Sequence, residues 1–337
     1  MKPGLTSWLR CPACRAGLAL RNAVVEQTPG AGPEVTAGIL SCEGCSREYE
    51  VREGVPRLAV VELPAEQVTR QTASSFGYLW GASDDRDERC EEPYHFARMA
   101  ETLGLAPPQG LVLDAGCGEG IDLSQHARRG SEVIGVELSN GGCAATLRRT
   151  AHMPSAHVVQ ANLHRLPFAD GTFALSYSFG VLHHVADPVA ALREIARVTA
   201  PAGRVAVYLY EDFAERAVAW RLLLRAANQL RHVTVRLPHR ALYALCQLGS
   251  PVVFLLCTVP SKVLSRLPWF RGFASRLPYS YGTGPFSLVG DLFDRFATPV
   301  ELRYGRESAC QLFEQAGLRI VAIANNRGWM VAGERVF

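Results

Sequence analysis

The stretch Asp114-Ala-Gly116-Cys-Gly118-Glu-Gly120 constrains this chain more than any other. It joins an apolar run, LVLDA (111–115), to a segment with helical spacing (121–129) that Gly130 ends. Three glycines between a strand and a helix let the backbone pass close beneath a bulky ligand, and the helix N-terminus accepts a carboxylate or phosphate. The pattern then repeats. EVIGVE (132–137), HVVQA (157–161), TFALSYSF (172–179) and 203–210 read as further strands. Helical spacing falls at 142–150 and 189–198. Strands alternating with helices in this way predict a parallel sheet covered on both faces, an α/β fold of the Rossmann-like class.

The alternation stops at Glu211 and resumes near Arg306. ESACQLFEQAG (307–317) reads as an amphipathic helix, and LRIVAIA, NNRG and WMVAGE follow as strand, turn and strand. Seven strands ending in an antiparallel hairpin are therefore expected, interrupted by an insertion. The expected division is 1–62, a small N-terminal module; 63–110, a helical or lid segment with a helix over 93–103; 111–210 with 300–337, the ligand-binding domain; and 211–299, a helical insertion.

The N-terminal module carries Cys11-Pro-Ala-Cys14 and Cys42-Glu-Gly-Cys45, two CxxC pairs 27 residues apart. Each pair can sit on a tight turn aiming two thiolates at one point, so Cys11, Cys14, Cys42 and Cys45 are expected to hold a structural Zn²⁺ as a zinc ribbon. TPGAGPEVTAG (28–38) reads as its hairpin tip. MKPGLTSWLRCPAC lacks the apolar run of a signal peptide, so a cytoplasmic location is expected, where the ten cysteines stay reduced.

At the glycine turn a nicotinamide dinucleotide is the competing ligand, and three features weigh against it. Glu137 ends the second strand, where a carboxylate accepts both ribose hydroxyls. Asn162 and Leu163 follow the third strand, where an amide and backbone meet an adenine edge. LPFADGTFALSYSFGVLHHVADP (166–188) then leads through the fourth strand into a helix.

This order resembles the class I S-adenosylmethionine-dependent methyltransferases of the ubiquinone/menaquinone type, which carry LDxGCGxG, an acidic end to strand two, LPFxDxxFD and VLHHxxDP. The likeness covers roughly 111–210, with weaker support at 300–337. It implies S-adenosylmethionine as cofactor, Gly116, Gly118 and Gly120 beneath its methionine part with Asp114 near, and Glu137 on the ribose. Leu138, Asn162, Leu163 and Ser178 complete the candidate cofactor set. Asn162 and Ala174 stand where the family usually has Asp. Candidate groups on the acceptor side are Phe179, His183, His184, Tyr208 and Tyr210, with His183 or His184 as a general base or as packing and capping groups. Upstream, SSFGYLWGASDD (74–85) is similar to an FGYxW segment of zinc-ribbon methyltransferases. Phe76 and Tyr78 are candidate cofactor contacts there, and with Trp80 they form either a lid or an apolar staple between module and core.

The net charge of +3 hides an asymmetry. Residues 216–290 hold nine Arg, one Lys and no acidic residue, which leaves −7 on the rest of the chain. Between Arg240 and Lys262 no residue is charged. Gly249-Ser250-Pro251 and Pro260 argue against one continuous membrane-spanning helix, and a helical cap with apolar residues inward and arginines outward is expected instead. Such a basic lobe suits a solvated lid, an anionic or lipid-like substrate, a membrane surface, or RNA phosphates. Three functions compete: methyl transfer to a hydrophobic, anionic small molecule; methylation of ribosomal or transfer RNA, in which case the ribbon and basic lobe bind the RNA; and non-catalytic S-adenosylmethionine binding by a partner protein.

Overall fold

In a computed structural model of the 337-residue chain, all residues are described except 29, 31, 60–65, 83–94, 275–276 and 336–337. The start of the helix expected at 93 falls partly outside these, as does most of the 83–94 stretch of the expected lid. The chain divides into two compact units, Met1–Glu215 with Val300–Phe337, and the insertion Arg216–Pro299.

The first unit begins with a four-stranded antiparallel sheet, β1 (Leu18–Thr28), β2 (Gly32–Cys42), β3 (Glu48–Arg52) and β4 (Val55–Pro56). The hairpin is longer than the sequence suggests. Glu34 to Gly38 lie in β2, paired with β1, and Val35 is buried in the core with Met1 and Leu5. Two helices follow, α1 (Glu66–Ala82) and α2 (His95–Leu103). The main α/β run is β5 (Val112–Ala115), α3 (Ile121–Arg128), β6 (Val133–Glu137), α4 (Asn140–Thr150), β7 (Ala156–Gln160), β8 (Phe173–Phe179), α5 (Pro188–Val198) and β9 (Thr199–Leu209).

After the insertion come α11 (Arg306–Gln315), β10 (Leu318–Asn325) and β11 (Trp329–Arg335), the label α11 leaving α6 to α10 for the second unit. The sheet order is β10-β11-β9-β8-β5-β6-β7. β5 to β9 are mutually parallel, and β11 runs antiparallel to both neighbours. This is the Rossmann-like seven-stranded sheet the alternation predicts. Order turns outward from β5 in both directions, so a crevice opens at the carboxyl ends of β5 and β8, the place where ligands collect in such sheets.

Successive strand residues point to opposite faces. Val112, Val133, Val158 and Ala206 pack with Phe96, Met99, Leu123 and Cys143 on one face. Leu113, Ile134, Val159 and Val205 pack with Leu192, Ile195, Leu312 and Phe313 on the other. On that second face, the connection between β7 and β8 forms no helix, although parallel crossovers usually do. The N-terminal module fills the vacancy. Leu5, Leu9, Leu40 and Leu58, all fully enclosed, share one core with Leu163, Leu166 and Phe168. Each such side chain stabilises by about 2 kcal/mol when removed from water. Backbone bonds reinforce the join: Arg10 N donates to Pro167 O at 2.8 Å and Leu58 N to Gln160 O at 2.8 Å. Arg57 pairs in parallel with Gln160, extending the large sheet past β7.

The second unit holds α6 (Val218–Thr234), α7 (His239–Val253), α8 (Val259–Leu264), α9 (Arg271–Ala274) and α10 (Val289–Ala297). Leu224, Leu242, Cys246, Leu292 and Phe293 are buried in it. The sequence argument against a continuous helix does not hold. α7 and α8 join through a π turn at Phe254–Thr258 into one 26-residue helix, His239–Leu264. The wider π spacing lies one turn before Pro260 and makes room for its ring. By length and composition this helix could cross a membrane, and only 22% of its most apolar stretch is buried. The expected inward apolar, outward basic arrangement holds in part: Arg221, Arg225, Arg236, Arg240, Arg266 and Arg271 are exposed and Leu224, Leu242 and Phe293 buried, with exceptions on both sides. Leu248, Leu255 and Leu256 face out, whereas Arg231 is buried.

Candidate active site

The glycine turn takes the shape its residue types require. Gly116, Gly118 and Gly120 have φ of 91°, 54° and 78°, left-handed values that a side chain disfavours. A Cβ on Gly116 would stand 2.5 Å from Val181 Cγ2, and one on Gly120 would stand 2.8 Å from Thr146 Cγ2. Thr146 Oγ1 donates to Gly118 O at 2.8 Å, tying the turn to α4. The turn therefore leaves a shallow cradle at the carboxyl end of β5.

Glu137, at the end of β6, is buried beside it. Its Oε2 accepts from Gly118 N at 3.2 Å and its Oε1 from Ser139 N at 2.8 Å. Burial lifts this carboxyl above the usual range against the pull of those N–H groups. Ser139 also caps α4, its Oγ accepting from Gly142 N at 3.0 Å. Leu138 O accepts from Gln160 Nε2 at 2.8 Å, so its backbone is held at the same strand end.

Asp114 is nearly inaccessible. Burial, with the charges of Asp122 and Glu137 nearby, pushes its carboxyl well above the ordinary range, and a bond to Tyr177 opposes the rise. Asp122 in turn receives His95 N at 2.9 Å and Phe96 N at 3.1 Å, capping α2. A raised carboxyl stabilises the ligand-free fold in acid, and that contribution is lost as pH rises through the raised value. A cationic ligand group beside Asp114 needs the anion. Cofactor affinity is therefore expected to rise with pH through that same value, with one proton released on binding. Calorimetry in two buffers of different ionisation heat reads the proton directly, and Asp114→Asn should remove both effects. Binding without proton release at every acidic pH would refute the linkage.

The upstream aromatic segment reaches this site as part of α1. The Trp80 indole lies 3.1 Å from where a Cβ on Gly118 would be. Phe76 stacks on Trp80 with centroids 6.1 Å apart and meets the His184 ring edge-on at 5.3 Å. Gly77 and Gly141 let the α1 and α4 backbones touch, and a Cβ on Gly141 would overlap the Gly77 carbonyl. Tyr78, on the same helix, is half-buried. Trp80, rather than Tyr78, is the residue closest to the glycine turn in these contacts, and its indole offers a flat cover. Trp80→Ala is expected to weaken cofactor binding about tenfold, roughly 1.4 kcal/mol, measured by calorimetry. Unchanged affinity would make α1 a staple only.

The remaining residues divide by position. Asn162 is buried, and its Oδ1 accepts from His164 N at 3.1 Å, while Leu163 packs in the core. Ser178 Oγ donates to Ala115 O at 2.8 Å and pins β8 to β5 under the turn. His184 Nδ1 bonds Val300 O at 2.7 Å. His183 is fully enclosed, its ring stacked on Tyr210 at 3.7 Å. Asp187, not either histidine, caps α5, accepting from Ala190 N at 3.0 Å. Tyr208 donates to Arg327 O at 2.6 Å, and burial raises its pKa. At the carboxyl ends of β8 and β9, His95, Phe179 and Tyr208 form a stack with centroid spacings of 4.8 and 4.3 Å. The Arg98 guanidinium lies 5.3 Å from the Phe179 ring centre and 5.5 Å from that of Tyr208. His95 and Arg98 carry no motif signal; only the packing of α2 brings them here.

The four cysteines meet as their spacing predicts, with all four Sγ atoms within 4.8 Å of one another. Cys11 and Cys45 are 3.7 Å apart and Cys14 and Cys42 3.4 Å. A tetrahedron of Zn–S bonds of about 2.3 Å needs sulfurs roughly 3.8 Å apart, so the thiolates suit that ion. Gly44 N and Cys45 N point at Cys42 Sγ from 3.3 and 3.4 Å.

Residues 113–207 match the family profile described as a methyltransferase domain. An uncharacterized 37.1 kDa protein in transposon TN4556 of Streptomyces fradiae is 39% identical over 139 residues, 40% of each chain. The demethylmenaquinone methyltransferase of Beutenbergia cavernae is 40% identical over 108 residues, 32% of this chain and 43% of that protein. The chain thus spans less than half the length of these curated relatives. Among solved structures, the 1,6-didemethyltoxoflavin-N1-methyltransferase of Burkholderia thailandensis is 13% identical, covering 88% of this chain and 98% of its own, with a TM-score of 0.46. With its glycine turn, its acidic end to β6 and this family match, the segment 113–207 belongs to the class I S-adenosylmethionine-dependent methyltransferases.

Proposed function

We propose that the protein transfers a methyl group from S-adenosylmethionine to a hydrophobic, quinone-like small molecule. The observation that carries this reading is one arrangement at the carboxyl ends of β5 and β6. A turn of three left-handed glycines there shares its Gly118 N–H with the buried Glu137 carboxylate at 3.2 Å. The residues fit the cofactor: three glycines at left-handed φ keep three positions of the turn free of side chains, and two buried carboxyls stand beside it for a cation and a pair of hydroxyls. When bound, the cofactor supplies a sulfonium methyl open to in-line attack.

The protein's part is alignment and exclusion of water. Gly116, Gly118 and Asp114 would hold the methionine end, Glu137 the ribose, and Asn162 and Leu163 the adenine. Trp80 and Phe76 would cover the turn. The stack of His95, Phe179 and Tyr208 would form an aromatic wall beside a flat acceptor, and Arg98 favours an oxyanion there. The naming of related proteins as demethylmenaquinone methyltransferases supports an acceptor of that chemistry. With both histidines committed to packing and to Val300 O, we assign no general base.

The zinc ribbon is read as structural. Four cysteines leave the metal no open position, and the ribbon's leucines sit in the main core.

The test is methyl transfer from S-adenosylmethionine to reduced naphthoquinones, read by mass. Product that Arg98→Ala and Phe179→Ala reduce, with cofactor affinity kept, is expected. Cofactor binding without product on any hydroquinone would move the acceptor to another class.

A further inference from the structure

The second unit leaves a large apolar surface exposed beside its small buried core. Along the helix His239–Leu264, the exposed residues include Leu245, Leu248, Val252, Leu255, Leu256 and Val263, which recur at helical spacing as one stripe. The opposite stripe buries Leu242 and Cys246 together with three hydroxyls. Ser250 Oγ donates to Pro285 O at 2.7 Å, Thr258 Oγ1 to Tyr279 O at 2.6 Å and Ser261 Oγ to Ala274 O at 2.8 Å. On α6, Leu222, Leu223, Leu230 and Val233 are likewise exposed, while Leu224, Arg231 and Thr234 are buried. A helix in water buries its leucines and exposes its hydroxyls. A wide exposed leucine stripe, with the hydroxyls bonded inside, suits an apolar medium against that stripe.

Two further features identify the medium. Residues 216–290 hold ten cationic and no acidic side chains, a charge opposite to that of an anionic lipid surface. After α8 the chain presents Trp269 at 94% exposure, with Phe270 and Phe273 exposed and Arg266 and Arg271 alongside. Aromatic rings between arginines are the residues that sit at the level of lipid headgroups. Exposed Arg221, Arg225 and Arg236 are interleaved with the leucines of α6, and Gln247 and Lys262 flank the stripe on the longer helix. These polar groups favour a unit lying in the surface over one crossing it.

We propose that the Arg216–Pro299 unit docks the protein on the surface of anionic membranes, inserting the leucine stripe of His239–Leu264 and Trp269 into one leaflet. This inference does not depend on methyl transfer. It gives the protein a place where apolar molecules are concentrated.

The experiment is sedimentation of the full chain with vesicles of phosphatidylcholine alone or mixed with phosphatidylglycerol. Binding to the mixed vesicles, at least about tenfold stronger than to neutral ones and weakened by salt, is expected. Leu248→Glu with Leu256→Glu should cut that binding by about tenfold or more, with helical circular dichroism unchanged. A blue shift of tryptophan emission on binding should vanish in Trp269→Phe, which gives a second reading should the double variant misfold. No binding to anionic vesicles overturns the proposal. Binding indifferent to the leucine changes and leaving Trp269 in water, a dimer formed through this face in place of vesicle binding, and resistance to alkaline extraction, which marks a spanning helix, each overturn it as well. S-adenosylmethionine calorimetry on the same samples reports separately on the methyltransferase reading.

Discussion

Gly116→Arg is expected to abolish measurable binding of S-adenosylmethionine while leaving the chain folded. At φ 91° any side chain pays a backbone cost of about 1 kcal/mol. The larger cost is steric. A Cβ there would stand 2.5 and 2.7 Å from the two Val181 methyl carbons, and Val181 leads directly into the 3₁₀ turn Leu182–His184. Either Val181 retreats, shifting the Leu182 packing, or the turn lifts into the volume the ligand needs. The rest of the arginine side chain then occupies the cradle. Together these effects should reduce affinity at least about a hundredfold, roughly 2.7 kcal/mol. Gly171→Ala is the matched control. Its φ of 67° carries the same backbone strain, but its nearest neighbour is 3.7 Å away and the residue lies at the opposite end of β8. It should cost about 1 kcal/mol of stability and leave binding untouched. Micromolar binding retained by Gly116→Arg would remove the cofactor from this turn.

Cys42→Ser is expected to release the metal and to lower the melting temperature of the whole first unit by about 10 °C or more. A detached zinc module would unfold alone, because a structural zinc contributes on the order of 10 kcal/mol to the fold that holds it. Here the module is not detached. Cys42 and Cys11 belong to the core that contains Leu113, Val136 and Phe168. Lys2 bonds Ala156 O and pairs with Glu34 at 3.8 Å, and Trp8 packs edge-on to His157 at 5.4 Å. Loosening β2 therefore exposes the lower face of the sheet near β7. For a unit of this size, each kcal/mol lost moves the midpoint by about 2–4 °C. Metal analysis and thermal melts of wild type, Cys42→Ser and chelator-treated protein measure the effect. Cys310→Ser, on α11 away from the cluster, should change neither. Loss of metal with an unmoved midpoint would show that the thiolates do not support the core.

The local patterns were readable for a physical reason. A glycine that must adopt left-handed φ, an apolar run of four or five residues, and an acidic residue at a strand end each report on their own neighbourhood. So β5 to β9, the α11–β10–β11 ending and the meeting of Cys11, Cys14, Cys42 and Cys45 follow from the sequence within a few residues. For Trp80 the sequence left a lid and an apolar staple open, and its place against Gly118 comes from the packing of α1. That depends on Gly77 and Gly141 allowing α1 to approach α4, a contact between residues 64 positions apart. His95 and Arg98 reached the Phe179–Tyr208 stack only because Asp122 caps α2.

Composition misled in the insertion. An uncharged run with two prolines looked like broken helix, and its leucines looked like the inner face, whereas most of the described arginines do lie outward and Arg231 is buried. Hydropathy counts apolar residues without saying where they point. In this unit Ser261, Thr258 and Ser250 turn inward to the carbonyls of Ala274, Tyr279 and Pro285, on the side opposite the exposed leucines. The role of the ribbon depends on tertiary structure in the same way. Its cysteine spacing specifies a metal knuckle from local geometry alone. Its place in the core follows from the missing helix between β7 and β8, an apolar surface that only the folded sheet creates and that Leu5, Leu9, Leu40 and Leu58 cover.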